Sequence, residues 1–438
     1  MTVSRGDWKE KAARGDARGM TKTDLEAQLI LVLNCGSSSL KYEVFRMPHR
    51  ESLGRGLVER IGEEAGRIEQ STPGGTFEHE QPIPDHRAAI ALVAQHLVDE
   101  HHGILDDIRE IAGIGHRVVH GGEKYASSVV ITDDVIETIE KCAELAPLHN
   151  PPNLTGIRAA KELLPDVPQV AVFDTAFHQT MPPHAYLYAI PRELYDEHRI
   201  RRYGFHGTSH RYVSARAIGL MKRSPENTNV ISAHLGNGAS ITAIENGKSI
   251  DTSMGFTPLE GLIMGTRSGD IDPAILFYLH DRGYSAKQMN TMLNKKSGLL
   301  GLSGLSNDLR DLEKAAETGH PAAIQALEAY AHRVRHYVGA YMATLVKVDL
   351  FVFTGGIGQN GWRMRERICH RLENIGIFMD YELNRTMGSR EGIISHPYSP
   401  TTVMVVPTNE ELQIALDVCD LVFPPTQEYK RRSTDVNV

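Results

Sequence analysis

Short apolar runs rich in β-branched residues alternate with longer segments of helical spacing between about residue 29 and residue 423. The β-rich runs are LILVLN, KYEVF, VAVFD, NVISAHL, SITAI, LFVFTG and VMVVPT. Helical patterns fill the intervals. Asn150 followed by Pro151 and Pro152 predicts a cap with proline in the first turn. Thr208 or Ser209 opens RYVSARAIGLMKR, while Ser285 with Gln288 and Thr408 with Glu411 have capping-box spacing. In the segment after Glu411, Leu412, Ala415, Leu416, Cys419 and Phe423 fall on one predicted helical face. Strands interleaved with helices place the chain in the α/β class.

Three of the strands run straight into turns of Gly, Ser or Asn: LILVLN-CGSSS, VISAHL-GNGAS and LFVFT-GGIGQNG. After the first two a second strand follows at once, so each predicts a β-hairpin. The third leads into the helical pattern WRMRERICHRLENI. Two hairpins so far apart along the chain suggest two similar domains facing one cleft.

Composition narrows the function classes. Lys plus Arg is 47 against 55 Asp plus Glu, a formal net charge of −8. That balance gives no global attraction for phosphate backbones, and no nucleic-acid partner is expected. No apolar run approaches the ~18 residues of a membrane helix, so no membrane partner is expected either. Cys35, Cys142, Cys369 and Cys419 are too sparse for a disulfide scaffold, and a reducing, cytoplasmic setting is expected. Residues 1–28 mix acids and bases without an apolar core, which excludes a secretory signal and predicts a disordered extension; residues 424–438 read as a polar tail.

Glycine-rich turns bring backbone N–H groups close to an anion. One such turn is usually only a turn. Three at strand ends, two of them with Asn and Ser donors, suggest a polyphosphate held from both sides. A competing reading stays open: Gly356, Gly358 and Gly361 match G-x-G-x-x-G after a strand, with Asp380 about 20 residues on, as in a dinucleotide site. That would make the chain an NAD-dependent oxidoreductase, but it leaves the other two turns unexplained. A Walker A sequence is absent, since Thr242 stands where Gly247-Lys248-Ser249 would need a glycine. His116/His120 and His206/His210 have H-x-x-x-H spacing, yet the first pair lies in a strand-like run and neither has the Glu of a zinc-protease helix. Arg117, Asp174, Arg267 and Glu410 sit near predicted strand ends, where open α/β sheets bind ligands. Two arginines with two acids suit phosphoryl transfer.

At this point the motifs NCGSSSLK, GHRVVHGGEKY, APLHNPPN, VFDTAFHQTMP, YGFHGTSH, HLGNGAS, DTSMGFTPLEGLIMGTRSGDIDP and PTNEEL resemble the acetate kinase family, in unbroken order. The resemblance implies two actin/ribonuclease-H-like domains, each a mixed sheet flanked by helices, facing an active-site cleft. Residues 29–176 with 410–423 would carry the first phosphate hairpin, and 177–409 the second hairpin and the adenosine site. It implies a homodimer that moves the γ-phosphoryl group of ATP reversibly to acetate, with Mg²⁺, which Mn²⁺ can replace. By the same resemblance Arg117 and Arg267 would hold the carboxylate and the phosphoryl oxygens, and Asp174 would position acetate and help organise the metal. His206 would donate to the phosphoryl group and His149 would support it. Asn34, Ser37, Ser39 and Lys41 would form the first phosphate hairpin, and His234, Leu235, Gly236, Asn237 and Gly238 the second. Asp308, Leu309 and Arg310, with Gly355, Gly356, Ile357, Gly358 and Asn360, would border the nucleotide. Asn34 and Glu410 would serve the metal.

Val119, Leu148, Phe205 and Pro258 would form the methyl pocket by the same resemblance, with valine at 119 favouring acetate. Propionate or another short-chain carboxylate is the alternative substrate, because one methylene is worth only about 1–3 kcal/mol of discrimination. One departure stands out: the family commonly has GGIGEN where this chain has GGIGQN, with Gln359 in place of the acid.

Overall fold

The computed structural model describes residues 27–147 and 149–423. The expected N-terminal extension (but for its last two residues), the polar tail and Leu148 lie outside the described residues. The protein is α/β, with two mixed sheets flanked by helices. The first sheet is built from β1 (Gln28–Cys35), β2 (Ser39–Met47), β3 (Glu51–Glu59), β4 (Gly66–Thr72), β5 (Gly75–Gln81), β6 (Ile111–Val118), β7 (Val129–Val130) and β8 (Gln169–Phe173). Their order is β5-β4-β3-β2-β1-β6-β8-β7. The second is built from β9 (Val230–Leu235), β10 (Ala239–Glu245), β11 (Lys248–Thr252), β12 (Leu350–Thr354), β13 (Gly392–Ile393) and β14 (Thr402–Val405), in the order β11-β10-β9-β12-β14-β13. Grouped by contacts, residues 27–116, 155–170 and 415–423 form one unit, and 117–147, 149–154 and 171–414 form another.

In the first unit the expected hairpin is present. β1 pairs antiparallel with β2, Asn34 opposite Lys41, and the Gly36 N–H closes the turn on the Ser39 carbonyl at 2.8 Å. The core beneath it joins Leu31, Leu33, Leu40, Val44 and Val58 to Ile90, Val93 and Leu97 of the helix His86–Leu97. Each such aliphatic side chain, fully buried, contributes about 1.5–3 kcal/mol. Gly56 stands opposite Tyr42 in the β2–β3 register, where a Cβ would lie 2.3 Å from the tyrosine ring. That ring is buried and its hydroxyl donates to Gln70 at 2.7 Å.

In the second unit β9 and β10 form the other expected hairpin, and β9 and β14 flank β12 in parallel. The helix Pro321–Thr344 buries Ala323, Ala326, Leu327, Tyr330, Ala331, Val334, Val338 and Tyr341. That is the three-to-four-residue spacing of a single core-facing stripe.

Four local expectations need correction. Asn150 starts the helix Asn150–Leu163, but its amide bonds the His120 backbone and the Ile139 carbonyl and so ties separate segments together. The final helix, Glu410–Val422, is capped by Asn409, whose side chain accepts from the Leu412 N–H at 2.9 Å. Thr408 instead bonds the Ser209 hydroxyl. The most buried apolar positions of that helix are Leu412, Ile414, Ala415 and Val418, while Leu416, Cys419 and Phe423 are only half-buried. The third glycine turn is itself helical, Gly355–Asn360, and starts directly on β12.

Candidate active site

Arg117 is the penultimate residue of β6, and Asp174 follows the last residue of β8. The two strand ends are tied by the Asp174 N–H, which donates to the Val118 carbonyl at 3.0 Å. The Asp174 side chain is 1% exposed and accepts from Arg117 through Nε, at 3.3 Å, and through Nη2. The Thr208 hydroxyl adds a bond at 3.3 Å. Glu410, the first residue of the final helix, stands 3.6 Å from the same Arg117 Nε. Burial works against the Arg117 charge, but Asp174 and then Glu410 more than offset it and raise its pKa.

The segment after Phe205 brings further site residues to Asp174. His206 has φ 56° and ψ 24°, a left-handed conformation uncommon outside glycine. Gly207 donates its N–H to the Asp174 carbonyl at 2.9 Å, and a Cβ there would lie 2.2 Å from that oxygen. Only glycine lets the two backbones meet this closely. The His206 ring stacks on His234, centroids 4.3 Å apart, and its Nδ1 lies 3.0 Å from the Ser240 hydroxyl. Burial pulls His206 well below the ordinary histidine pKa, helped by His234, His210, Arg117 and Arg267. It is therefore neutral at pH 7.

Arg267 joins this group over Gly238. A Cβ on Gly238 would lie 3.4 Å from His206 Nε2 and 3.8 Å from Arg267 Nη1, so the glycine keeps a side chain away from both nitrogens. Arg267 Nη1 donates to the Pro258 carbonyl at 3.2 Å. Its pKa is lowered by burial, and among the described residues no carboxylate pairs with it. A partly desolvated cation without a counter-charge is costly unless an anion joins it. His149 also feels this field: burial, then Arg117 and Arg267, lower its pKa, with Asp174 opposing.

The second and third glycine turns meet each other within the same unit. The Gly236 N–H closes the β9–β10 turn on the Gly238 carbonyl at 3.0 Å, and a Cβ on Gly236 would lie 3.9 Å from the Gly356 nitrogen. Gly355, at φ +74°, passes so close to Leu235 that a Cβ would lie 2.7 Å from its carbonyl oxygen. Asn237 accepts from Asn307 at 3.0 Å, and the Asn360 amide donates back to the Gly356 carbonyl at 2.9 Å. Gly358 is buried and Ile357 packs against the core that contains Leu235 and Leu309. Asp308 caps the helix Leu309–Glu317, and Arg310 folds back onto it, lowering its pKa to about 2. Gln359 donates to the Ser389 carbonyl at 3.2 Å, a bond that an ionised glutamate could not make.

Val119 and Phe205 are buried in one hydrophobic cluster. In the first unit, Asn34 and Ser39 are half-buried, and Ser37 and Lys41 are exposed at the hairpin turn.

The H-x-x-x-H pairs are otherwise committed. His116 Nε2 bonds Gln169 at 2.8 Å, and His120 Nδ1 accepts from the Gly122 N–H at 3.0 Å. His210, one turn along from His206, shares the Ser240 hydroxyl with it. Asp380, the acid of the dinucleotide pattern, caps the helix Tyr381–Met387. Sequence reads Thr208 as opening its helix, but that helix starts at Gly207 and the Thr208 hydroxyl goes to Asp174; His210 is read only as half of a histidine pair, and Ser240 has no role. Their importance depends on contacts between a helix and a distant strand, which no local spacing announces.

Comparison with known proteins follows the same line. A profile of the Acetokinase family matches residues 29–416. The acetate kinase of Desulfitobacterium hafniense is 54% identical over 395 residues, covering 90% of this chain and 99% of its own. A crystal structure of Porphyromonas gingivalis acetate kinase superposes with a TM-score of 0.88 at 48% identity, covering 90% of this chain and 100% of that one. A propionate kinase structure from Francisella tularensis gives 0.84 at 45% identity, over 90% of this chain and 100% of its own. The chain belongs to the acetokinase family.

Proposed function

We propose that this kinase transfers the γ-phosphoryl group of ATP directly and in line to acetate, reversibly and with magnesium, giving acetyl phosphate and ADP. The observation that carries the reading is Arg267: a half-buried guanidinium whose pKa burial lowers, with no carboxylate partner among the described residues, next to the same Gly238 as His206 Nε2. An anion is what such a group lacks.

Acetate is already ionised near pH 7, so the site requires no strong general base. The task is to bring two anions together and align them. Arg117, oriented by Asp174, holds the carboxylate. Arg267 and His206 meet the equatorial oxygens of the phosphoryl group as charge spreads over them, and His149 supports them. Removing one such donor should cost on the order of 10²-fold or more in rate. The Asn34–Lys41 hairpin and the Leu235–Gly238 turn hold the phosphates, and Asp308–Arg310 with Gly355–Asn360 border the nucleoside.

The Glu410 carboxylate is an oxygen donor of the kind magnesium takes. Magnesium commonly takes one or two carboxylates or other oxygens, with substrate phosphates and water completing the shell. By the family resemblance Glu410, at the start of its helix, and the Asn34 amide would supply such oxygens, and manganese would use the same ones. The bound ion would neutralise phosphate charge; the protein groups do the aligning.

Two functional domains (29–176 with 410–423, and 177–409), a homodimer and a cytoplasmic setting complete this reading. Among the described residues, no helix is long and apolar enough to cross a membrane. The likeness to a propionate kinase favours propionate as a second, poorer substrate. The test is ADP release by the purified protein with ATP and magnesium, trapping acyl phosphate with hydroxylamine, for acetate, propionate and butyrate. Acetate should give the highest kcat/KM. No stimulation by any carboxylate would overturn the assignment.

A further inference from the structure

His206 is the end of an unbranched hydrogen-bond chain. Its Nδ1 lies 3.0 Å from the Ser240 hydroxyl; the same oxygen lies 2.7 Å from His210 Nε2; and His210 Nδ1 lies 2.9 Å from the Ser232 hydroxyl. Ser232, His210 and Ser240 are fully buried. None of these four side chains has another hydrogen-bond partner among the described residues. The fold explains the alignment. Ser232 and His234 alternate onto one face of β9, Ser240 stands opposite His234 on β10, and His206 and His210 are one turn apart at the start of the helix Gly207–Leu220.

Such a chain has few consistent proton orders. A neutral imidazole carries one N–H and a hydroxyl one O–H, and the bond made by one ring nitrogen decides which tautomer is present. In the first order Ser232 donates to His210 Nδ1, His210 Nε2–H donates to Ser240, and Ser240 donates to His206 Nδ1. His206 then presents Nε2–H. In the reverse order every bond flips, and His206 presents a bare lone pair at Nε2. A third arrangement has Ser240 accepting from both rings and strands its own proton in a buried site. Among the described residues His206 Nε2 makes no hydrogen bond, and it lies beside Gly238, where a Cβ would be 3.4 Å from it and 3.8 Å from Arg267 Nη1. A phosphoryl oxygen there would accept from Nε2–H and would repel a lone pair, so the first order is the one that fits a phosphoryl ligand.

We infer that Ser240 and His210, terminated by Ser232, are positioning residues that hold His206 as its Nε2–H tautomer toward the transferring phosphoryl group. The inference rests on the proposed role of His206. It requires no proton transfer, only a fixed direction of hydrogen bonding. Burial lowers both His206 and His210 well below the ordinary histidine pKa, which keeps the rings neutral and the chain intact near pH 7.

The test combines Ser240→Ala and Ser240→Thr with His206→Ala, and reads the His206 tautomer by ¹⁵N NMR of histidine-labelled protein. The wild type should show Nε2–H at His206. Ser240→Ala should lower kcat by about tenfold or more, with KM for ATP and acetate within about twofold, and lose the tautomer preference. Ser240→Thr, which keeps the hydroxyl, should restore most of both. An Nδ1–H wild-type tautomer would overturn the inference without any variant. So would a normal kcat in Ser240→Ala, or equal losses in the Ala and Thr variants with the tautomer unchanged. If instead His206→Ala retains full transfer, the role of His206 itself fails, and that outcome is distinct from the others.

Discussion

The guanidinium of Arg117 closes on the buried carboxylate of Asp174, with Nε 3.3 Å from Oδ1, while Glu410 stands 3.6 Å from the same nitrogen. One arginine is thus fixed between two acids at the ends of two strands and the start of a helix. Asp174 orients Arg117, and Arg117 in turn makes burial of Asp174 tolerable.

That mutual dependence gives the first prediction. Arg117→Ala removes the carboxylate-holding cation and leaves Asp174 buried without its partner. Phosphoryl transfer should fall on the order of 10²-fold or more, while ATP binding by calorimetry stays within a few fold. Stability should drop by about 3–5 kcal/mol, the usual cost of breaking a buried pair by removing one partner. Parallel loss of ATP binding would sink the assigned role.

Gly207 supplies the second. A Cβ at this position would sit 2.2 Å from the Asp174 carbonyl oxygen, which accepts the Gly207 N–H. Gly207→Ala must push the His206 turn away from Asp174. The expected outcome is a loss of about 1–3 kcal/mol in denaturant unfolding and a fall in kcat larger than any change in KM for ATP. Wild-type activity would mean that the turn shifts without disturbing the site.

Val119 supplies the third. It is buried in one cluster with Phe205, and its backbone N–H is pinned by the Asn153 side chain at 3.2 Å. The backbone is held, so shortening the side chain should open space rather than collapse it. Val119→Ala should raise the propionate-to-acetate ratio of kcat/KM by about tenfold, in line with the ~1–3 kcal/mol that a methylene is worth. An unchanged ratio would show that Val119 does not line the methyl end of the carboxylate.

The hairpins and the strand-end charges were legible in the sequence because each depends on neighbours along the chain. LILVLN before CGSSS, and VISAHL before GNGAS, give alternation, a glycine turn and a second strand in one window. What escaped were relationships across the fold. Asn150 reads as a cap from its neighbours, yet its amide ties His120 to Ile139. Thr408 reads as the cap from its spacing to Glu411, yet its hydroxyl is engaged by Ser209 and Asn409 caps the helix. The face of the final helix shifted toward Ile414 and Val418 because packing partners, and not periodicity alone, select the buried stripe. Ser240 was visible only as the last letter of a motif; its place between two histidines requires the helix to be docked on the strand.

Buried histidines give the last prediction. His116, His120 and His178 are at most 2% exposed, and burial first of all lowers each to about 4. The His178 tautomer is fixed, since Nε2 must donate to the Phe205 carbonyl at 3.0 Å, leaving Nδ1 to accept from Ser249 at 2.8 Å. In the unfolded chain each ring would titrate near ~6.5. The unfolded state therefore binds more protons than the folded state between those values, and stability must fall as pH drops from 6.5 toward 4. By pH 5 each ring should cost on the order of 1–2 kcal/mol. Calorimetric unfolding at pH 5.5 in buffers of different ionisation enthalpy should detect uptake of about one proton for each of these rings. A Tm flat between pH 7 and pH 5, with no uptake on unfolding, would mean that the rings are solvated or charged in the folded protein.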